Sequence, residues 1–379
     1  MLQNKIYQNF AKEIIVTFFI ILFGLSIIAW TARAVNFLDL IVENGYSVPT
    51  YFQYSVLNLF GILTKFIPLA LLISLVIFIT KQNEENEFTI LWTSGVKKIK
   101  ITNLFFIISV LILFFYLTFS TFFTPLALNK SRSILAKQNF NSFLPTIRVQ
   151  SFNDSFKGFT FLVEQKNKNL MKNVFIHDNS NTLKNLTSQS EEKKSTIIIA
   201  KSGIVEEKKM ILFDGEIITT KAKNKKNDMI KFQQLNIDLK NLRSDTIVIP
   251  KLQETHTTQL INCITGEMNE SIYNCKKNTK NEIITVLNRR LILPLYILLI
   301  PLLCSFLLLK SQKKINFFSN KYSIFGISFL VLLFAEIVIR YTGISKTISI
   351  LFFFIPIVLI PFIYFLLMFN FSRESYRNE

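Results

Sequence analysis

The chain has 379 residues, 50% of them hydrophobic, and a formal net charge of +18. Several apolar runs exceed the roughly 18 residues that mark a membrane span, which excludes an ordinary soluble domain. The surplus of Lys comes with a bias toward Asn, Ile and Phe, as in an AT-rich genome. Total charge is therefore not taken as the footprint of nucleic acid, and only the placement of charges is used.

Residues 1–13 are polar, with Lys5 and Lys12. The first apolar run covers about 14–31, with Arg33 just beyond it. No small-residue cleavage site follows, so it reads as a retained span rather than a removed signal. The second run, about 56–80, contains Lys65 and Pro68, and the third, about 101–123, has Pro125 at its exit. Between them lies KQNEENEFTILWTSGVKKIK (81–100). Phe88, Leu91, Trp92, Val96 and Ile99 recur there at spacings of three and four, one apolar face of a helix over about 83–99 with Asn83 as N-cap. Glu84, Glu85 and Glu87 at its start and Lys97, Lys98 and Lys100 at its end suit the helix dipole. The segment reads either as a solvated loop between spans or as a surface helix offering Glu87 to a soluble partner.

From 124 to 288 the character changes to short alternating runs. FTFLVE (159–164), NVFIHD (173–178), TIIIAK (196–201), MILFDGEIIT (210–219), MIKFQQLNIDL (229–239) and DTIVIP (245–250) read as strands. Asp214-Gly215 is a hairpin signal, and Asp154, Ser202-Gly203 and 224–228 mark further turns. Such a series implies a sandwich, jelly roll or barrel. Phe159, Phe161 and Val163 point one way, whereas Ile197, Ile198 and Ile199 make both faces apolar. The interior is either a closed core or an open slot for acyl chains. Three more spans follow, at about 291–309, 324–339 and 348–369.

Lys and Arg gather at the N-terminus, in the 81–100 segment, after the fourth span and at the C-terminus. This puts both termini in the cytoplasm and the β-rich insert outside. Cys263 and Cys275 lie in that outer region and are either paired or separate thiols. There is no phosphate-cradling G-x-x-x-x-G-K-[ST] loop, no G-x-S-x-G elbow and no H-E-x-x-H. With only His177 and His256, and no Cys/His cluster, no metal site or catalytic residue is assigned. Ionisable residues at membrane depth stand out because burying them is costly. Arg33 either snorkels to headgroups or faces a cavity; Lys65 has no sequence-local partner; Glu336 and Arg340, four apart, either pair with each other or join Arg33 and Lys65 around an outward cavity for an anionic, phosphate-bearing amphiphile.

These residues resemble the lipopolysaccharide-export permease family LptF/LptG (YjgP/YjgQ). EFTILWTSG (87–95) resembles the family's S-E-L-x-x-x-x-A-S-G stretch, with the same Glu-to-Gly spacing. NVFIHD, IIAKSG and ILFDGEI resemble its jellyroll signature, and RRLILPLYILLIPLL, from Arg289, resembles the start of its fourth span. Asn86 stands where the family often has Ser, and Val286 where many members carry an acid; no role is assigned to that second turn.

The resemblance implies an α-helical membrane protein with six transmembrane helices and an inserted all-β jellyroll periplasmic domain. Its parts would be 1–123 with the coupling helix, 124–288 as the jellyroll, and 289–379. It further implies a non-catalytic ABC-transporter permease that pairs with its F or G paralogue and docks a cytoplasmic LptB-like ATPase dimer. Docking would use Glu87, Phe88, Leu91, Trp92 and Gly95, with ATP and Mg held by that partner. Lipopolysaccharide would be drawn from the inner membrane past Arg33, Lys65, Glu336, Arg340, Phe159 and Phe161 and passed to periplasmic LptC/LptA-like bridge proteins. Whether the chain is the F-type or G-type partner stays open. A membrane-anchored sensor or scaffold is the alternative, separated by whether an ATPase co-purifies. A lipoprotein- or peptide-moving permease is a third reading, disfavoured because such permeases commonly have four spans.

Overall fold

The computed structural model describes residues 5–38, 41, 47–138, 149–156, 159–167, 169–179, 194–206, 209–221, 227–238, 251–265, 279–309 and 321–378. Six helical stretches are long and apolar enough to cross a membrane: Lys5–Asn36, Val48–Glu84, Lys98–Leu135, Lys280–Leu308, Lys321–Tyr341 and Lys346–Glu374. A β-sheet insert separates the third from the fourth. By internal contacts the chain divides into two compact units, Met1–Ala32 with Asn58–Asn129 and Lys251–Glu379, and Arg33–Leu57 with Lys130–Pro250.

The helices α1 (Lys5–Asn36), α2 (Val48–Glu84), α3 (Glu87–Thr93) and α4 (Lys98–Thr118) follow in order. Ile14, Phe18 and Leu22 of α1, Ile67, Leu71 and Leu75 of α2, and Ile101, Phe105 and Ile108 of α4 repeat at helical spacing and share one buried cluster. Pro125 does not end the third span as the sequence suggested. A π-helical turn, Phe119–Phe123, leads into α5 (Thr124–Gln138), with Pro125 at its second residue. The helix is continuous across it, Lys98–Leu135, so the proline deprives the carbonyl four residues back of its helical donor. The Thr121 carbonyl, four residues before the proline, instead accepts a hydrogen bond from the Thr257 hydroxyl at 3.2 Å.

After the sheet come α6 (Thr257–Thr265) and α7 (Lys280–Leu291). The fourth span continues through a 3-10 segment, Leu293–Leu298, with α8 (Leu299–Cys304) and a further 3-10 turn, Ser305–Leu308. Then α9 (Lys321–Val338), a 3-10 turn (Ile339–Tyr341) and α10 (Lys346–Asn378) close the chain. The Tyr296 hydroxyl donates to the Phe352 carbonyl at 3.0 Å, and the two rings stack at 4.9 Å, fixing the fourth span to the sixth.

The sheet unit holds β1 (Asn153–Phe156), β2 (Phe159–Asn167), β3 (Leu170–Asp178), β4 (Lys194–Glu206), β5 (Lys209–Lys221) and β6 (Asn227–Asp238). They pair antiparallel in sequence order, an up-and-down meander. A jellyroll needs a crossover between non-neighbours, and none occurs among the described strands. The strand expected over 245–250 and the turn over 224–226 lie outside the described residues. Three expected turns are corrected. Asp154 lies within β1, Ser202-Gly203 within β4 and Asp214-Gly215 within β5.

The Asp-Gly pair belongs to a crease rather than a hairpin. The β3–β4 ladder pairs Lys172 with Ser202 and Val174 with Ala200; β4–β5 pairs Ala200 with Gly215 and Ser202 with Phe213. Residues 173, 201 and 214 are skipped, side by side. Asn173 and Asp214 have φ of 50° and 48°, the left-handed region that Asn and Asp tolerate. On either side, the buried positions change phase. They run Met171 then Val174 in β3, Ala200 then Val205 in β4, and Leu212 then Ile217 in β5. A regular strand keeps a period of two, so each strand rotates its inward face at this line. The inward side chains then form one apolar cluster that includes Phe161 and Val163.

Candidate functional site

The segment 81–100 is not a single helix. α2 runs through Asn83, so Asn83 is not an N-cap. The chain turns at Asn86, φ 58°, and α3 begins at Glu87. It stops within two turns. The Gly95 N–H donates to the Trp92 carbonyl and the Val96 N–H to the Leu91 carbonyl, both at 3.1 Å. This is the Schellman pattern, with Gly95 at φ 83°. Nothing lies within 4 Å of a Cβ added at Gly95. Gly95→Ala therefore carries only backbone strain, and a loss of about 1 kcal/mol is expected, read as a lower unfolding midpoint.

The apolar face nevertheless falls where the spacing put it. Phe88 and Leu91 are buried, and Trp92, Val96 and Ile99 pack on the same cluster. Phe88 is the root. Its ring meets Phe10 of α1 at 6.1 Å, Phe78 of α2 at 6.2 Å and Trp92 at 5.6 Å. Phe78 meets Phe105 of α4 at 5.9 Å. Edge and stacked contacts of this kind add to burial, so α3 is packed onto the first three spans. Its other face is open. Glu87 is exposed, and Ile90, one turn on, is 65% exposed. The sequence reading missed Ile90, although its place between two buried positions was the available signal.

Ion pairs surround this helix. Lys81 meets Glu13 at 2.6 Å, joining α2 to α1. Lys321 of α9 meets Glu84 at 3.7 Å. Lys98 meets Glu374 of α10 at 2.7 Å.

At the other candidate positions the structure is more selective. Arg33 is exposed in the last turn of α1, and Lys65 is exposed on α2. Glu336 does not pair with Arg340. It accepts from Arg289 of α7 at 2.8 Å. The reason is local: the helix tightens into the 3-10 turn Ile339–Tyr341, where residues four apart no longer share a face. Phe161 is 1% exposed within the sheet's inward cluster; Phe159 begins β2, and its side chain lies outside the described part.

The neighbour of Arg289 carries a role that the sequence reading left unassigned. Arg290 is 5% exposed. Its guanidinium donates to the carbonyls of Thr255 and Gln253 and to the Thr257 hydroxyl, each at 2.9 Å, and to the Leu252 carbonyl at 3.5 Å. Val286 packs against Leu260, Cys263 and Ile283 in a small apolar cluster, a place where an acid would be desolvated. Cys263 is disulfide-bonded and Cys304 is a free, buried thiol; Cys275 lies outside the described residues.

Six helices apolar and long enough to span, a β insert between the third and fourth, and a short helix rooted in the first three define a polytopic membrane protein with an inserted β domain. The chain belongs to the family described as lipopolysaccharide export system permease LptF/LptG, whose match covers residues 9–372. A comparison with curated proteins returns no match. The family makes it a multi-pass inner-membrane component of lipopolysaccharide export.

Proposed function

We propose that this chain is one of two paralogous permease subunits of an ABC transporter. An ATPase docked on α3 would drive lipopolysaccharide out of the inner membrane toward a periplasmic bridge. The observation that carries this reading is the two-sided character of α3. One face is locked by Phe88 to the first two spans and, through Phe78, to the third, and the other presents Glu87 and Ile90 to solvent. An exposed isoleucine beside a carboxylate suits a partner with an apolar pocket rimmed by a basic residue. A helix rooted this way moves the spans when it is pushed. Hydrolysis belongs to the partner, which brings the nucleotide and its Mg.

On this reading α3 and both termini are cytoplasmic, and the sheet is periplasmic. The disulfide at Cys263 supports the outer placement of α6, since disulfides persist in oxidising compartments. Lys65 and the Arg289–Glu336 pair are proposed contacts for the lipid's phosphates; Arg33 is proposed as a separate phosphate contact, and the apolar interior of the sheet as a surface for acyl chains.

Glu87→Lys tests the docking. The variant is expected to fold and reach the membrane but to co-purify with at least about 10-fold less ATPase, since reversing one charge of an interfacial pair costs several kcal/mol. Normal export with the ATPase still bound would remove Glu87 from the interface.

A further inference from the structure

We infer that Lys98 and Glu374 form a latch through which movement of the docking helix α3 reaches the sixth span. This rests on the reading of α3 as the ATPase's docking element. The Lys98 ammonium donates to both carboxylate oxygens of Glu374, at 2.8 and 2.7 Å. The two side chains are only 14% and 20% exposed. The neighbouring pairs differ: Lys81–Glu13 is 51% and 26% exposed, and Lys321–Glu84 is 46% and 70% exposed. Pairs as open as those contribute little. The Lys98–Glu374 pair is shielded, so opening it leaves charges that water reaches poorly.

The same ammonium lies 5.7 Å from the centre of the Trp92 ring, within the range of a cation–π contact. Trp92 stacks on Phe88. Lys98 therefore touches α3 with one side and α10 with the other, while its own backbone starts α4. On α10, Tyr364, Leu367, Phe371 and Glu374 fall on one stripe. Tyr364 donates to Asn103 of α4 at 3.0 Å. Leu367 and Phe371 enter the cluster that holds Phe88. The stripe thus joins α10 to α4 over three turns and ends at the latch. A tilt of α3 moves Trp92, Trp92 carries Lys98, and Lys98 draws the end of α10. From there the helix runs back about 40 Å to its start at Lys346.

Lys98 and Glu374 are positioning residues, so their test must separate coupling from docking. The chain, purified with its ATPase and reconstituted in vesicles holding lipopolysaccharide, is assayed for ATPase stoichiometry and for lipid released per ATP hydrolysed. Lys98→Glu and Glu374→Lys are expected to keep the ATPase bound while lowering lipid per ATP by about 10-fold, and the double swap to return it to within about three-fold of the parent. Glu374→Gln, which keeps the side chain's size, is expected to lower the ratio in the same direction. Unchanged ratios in the single variants, or a double swap no better than they are, would overturn the latch. Single variants that simply shed the ATPase would also overturn it, placing the pair in the docking surface. If the parent chain itself brings down no ATPase, the docking reading fails and the latch falls with it.

Discussion

Arg290→Met is expected to lower stability by about 3 kcal/mol, because it leaves one buried and three part-buried acceptors without their charged donor. Arg290 serves the carbonyls of Leu252, Gln253 and Thr255 at once. It also donates to the Thr257 hydroxyl, which in turn donates to the Thr121 carbonyl beside Pro125. One guanidinium thus stabilises the turn at 251–255, the start of α6 and, through Thr257, the proline-bearing third span. Methionine fills much of the volume but offers no donor. Arg290→Lys keeps the charge but not the planar fork, so it reaches fewer of these acceptors. Its loss should be smaller, about half. The unfolding midpoint in detergent and the rate of lysine-specific cleavage at Lys251 report both effects. An unchanged midpoint with no faster cleavage at Lys251 would mean that water takes over the four acceptors.

The contrast between Arg290 and the docking face marks what the sequence made legible. Six spans and a β insert follow from apolar run length and alternation, which are local properties. The buried face of 88–99 was legible for the same reason, but the helix break at Gly95 was not. Leu91 and Val96 sit on either side of the Schellman turn, and the contact expected between those positions keeps both on the core side. The spacing therefore looks continuous across a chain that has stopped being helical. Asp214-Gly215 was misread for a related reason. The dipeptide announces a left-handed residue, and Asp214 is one, yet a hairpin and a crease use the same backbone conformation.

Partners distant in sequence were not legible at all. Glu336 has Arg340 four residues away and Arg289 47 residues away, and the pair forms with Arg289. Lys98 and Glu374 are 276 residues apart. Three of the four acceptors of Arg290 are carbonyls of a turn that carries no distinctive side-chain pattern. Such pairings depend on which helices meet, which a one-dimensional pattern does not record. Ile90 is the intermediate case. Its exposure followed from its neighbours' burial once the face was drawn, but a lone isoleucine on a polar face attracts no attention in a hydropathy scan.

The crease sets the second large effect. A Cβ at Gly215 would lie 2.3 Å from the Ile199 carbonyl oxygen, 2.5 Å from the Phe232 ring and 3.0 Å from the Ala200 Cα. Two of these are backbone atoms of β4, the central strand to which β5 is hydrogen-bonded, so they cannot withdraw without opening the ladder. Gly215→Ala is expected to cost about 3 kcal/mol. Gly203 is the control, because it lies on β4 beyond the crease and its nearest obstacle, at 2.7 Å, is the Leu212 Cδ2 methyl. A methyl at the end of a side chain can rotate away, and the one backbone atom close by, the Ile211 carbonyl oxygen at 3.3 Å, need give only a few tenths of an ångström, so Gly203→Ala should cost about 1 kcal/mol. Amide exchange in β4, β5 and β6 separates the two. If those strands open together, 3 kcal/mol speeds exchange by about 100-fold and 1 kcal/mol by about five-fold. Equal rates in the two variants would mean that the sheet yields as easily at the crease as beside it, and that Asn173, Lys201 and Asp214 do not hold a fixed fold line.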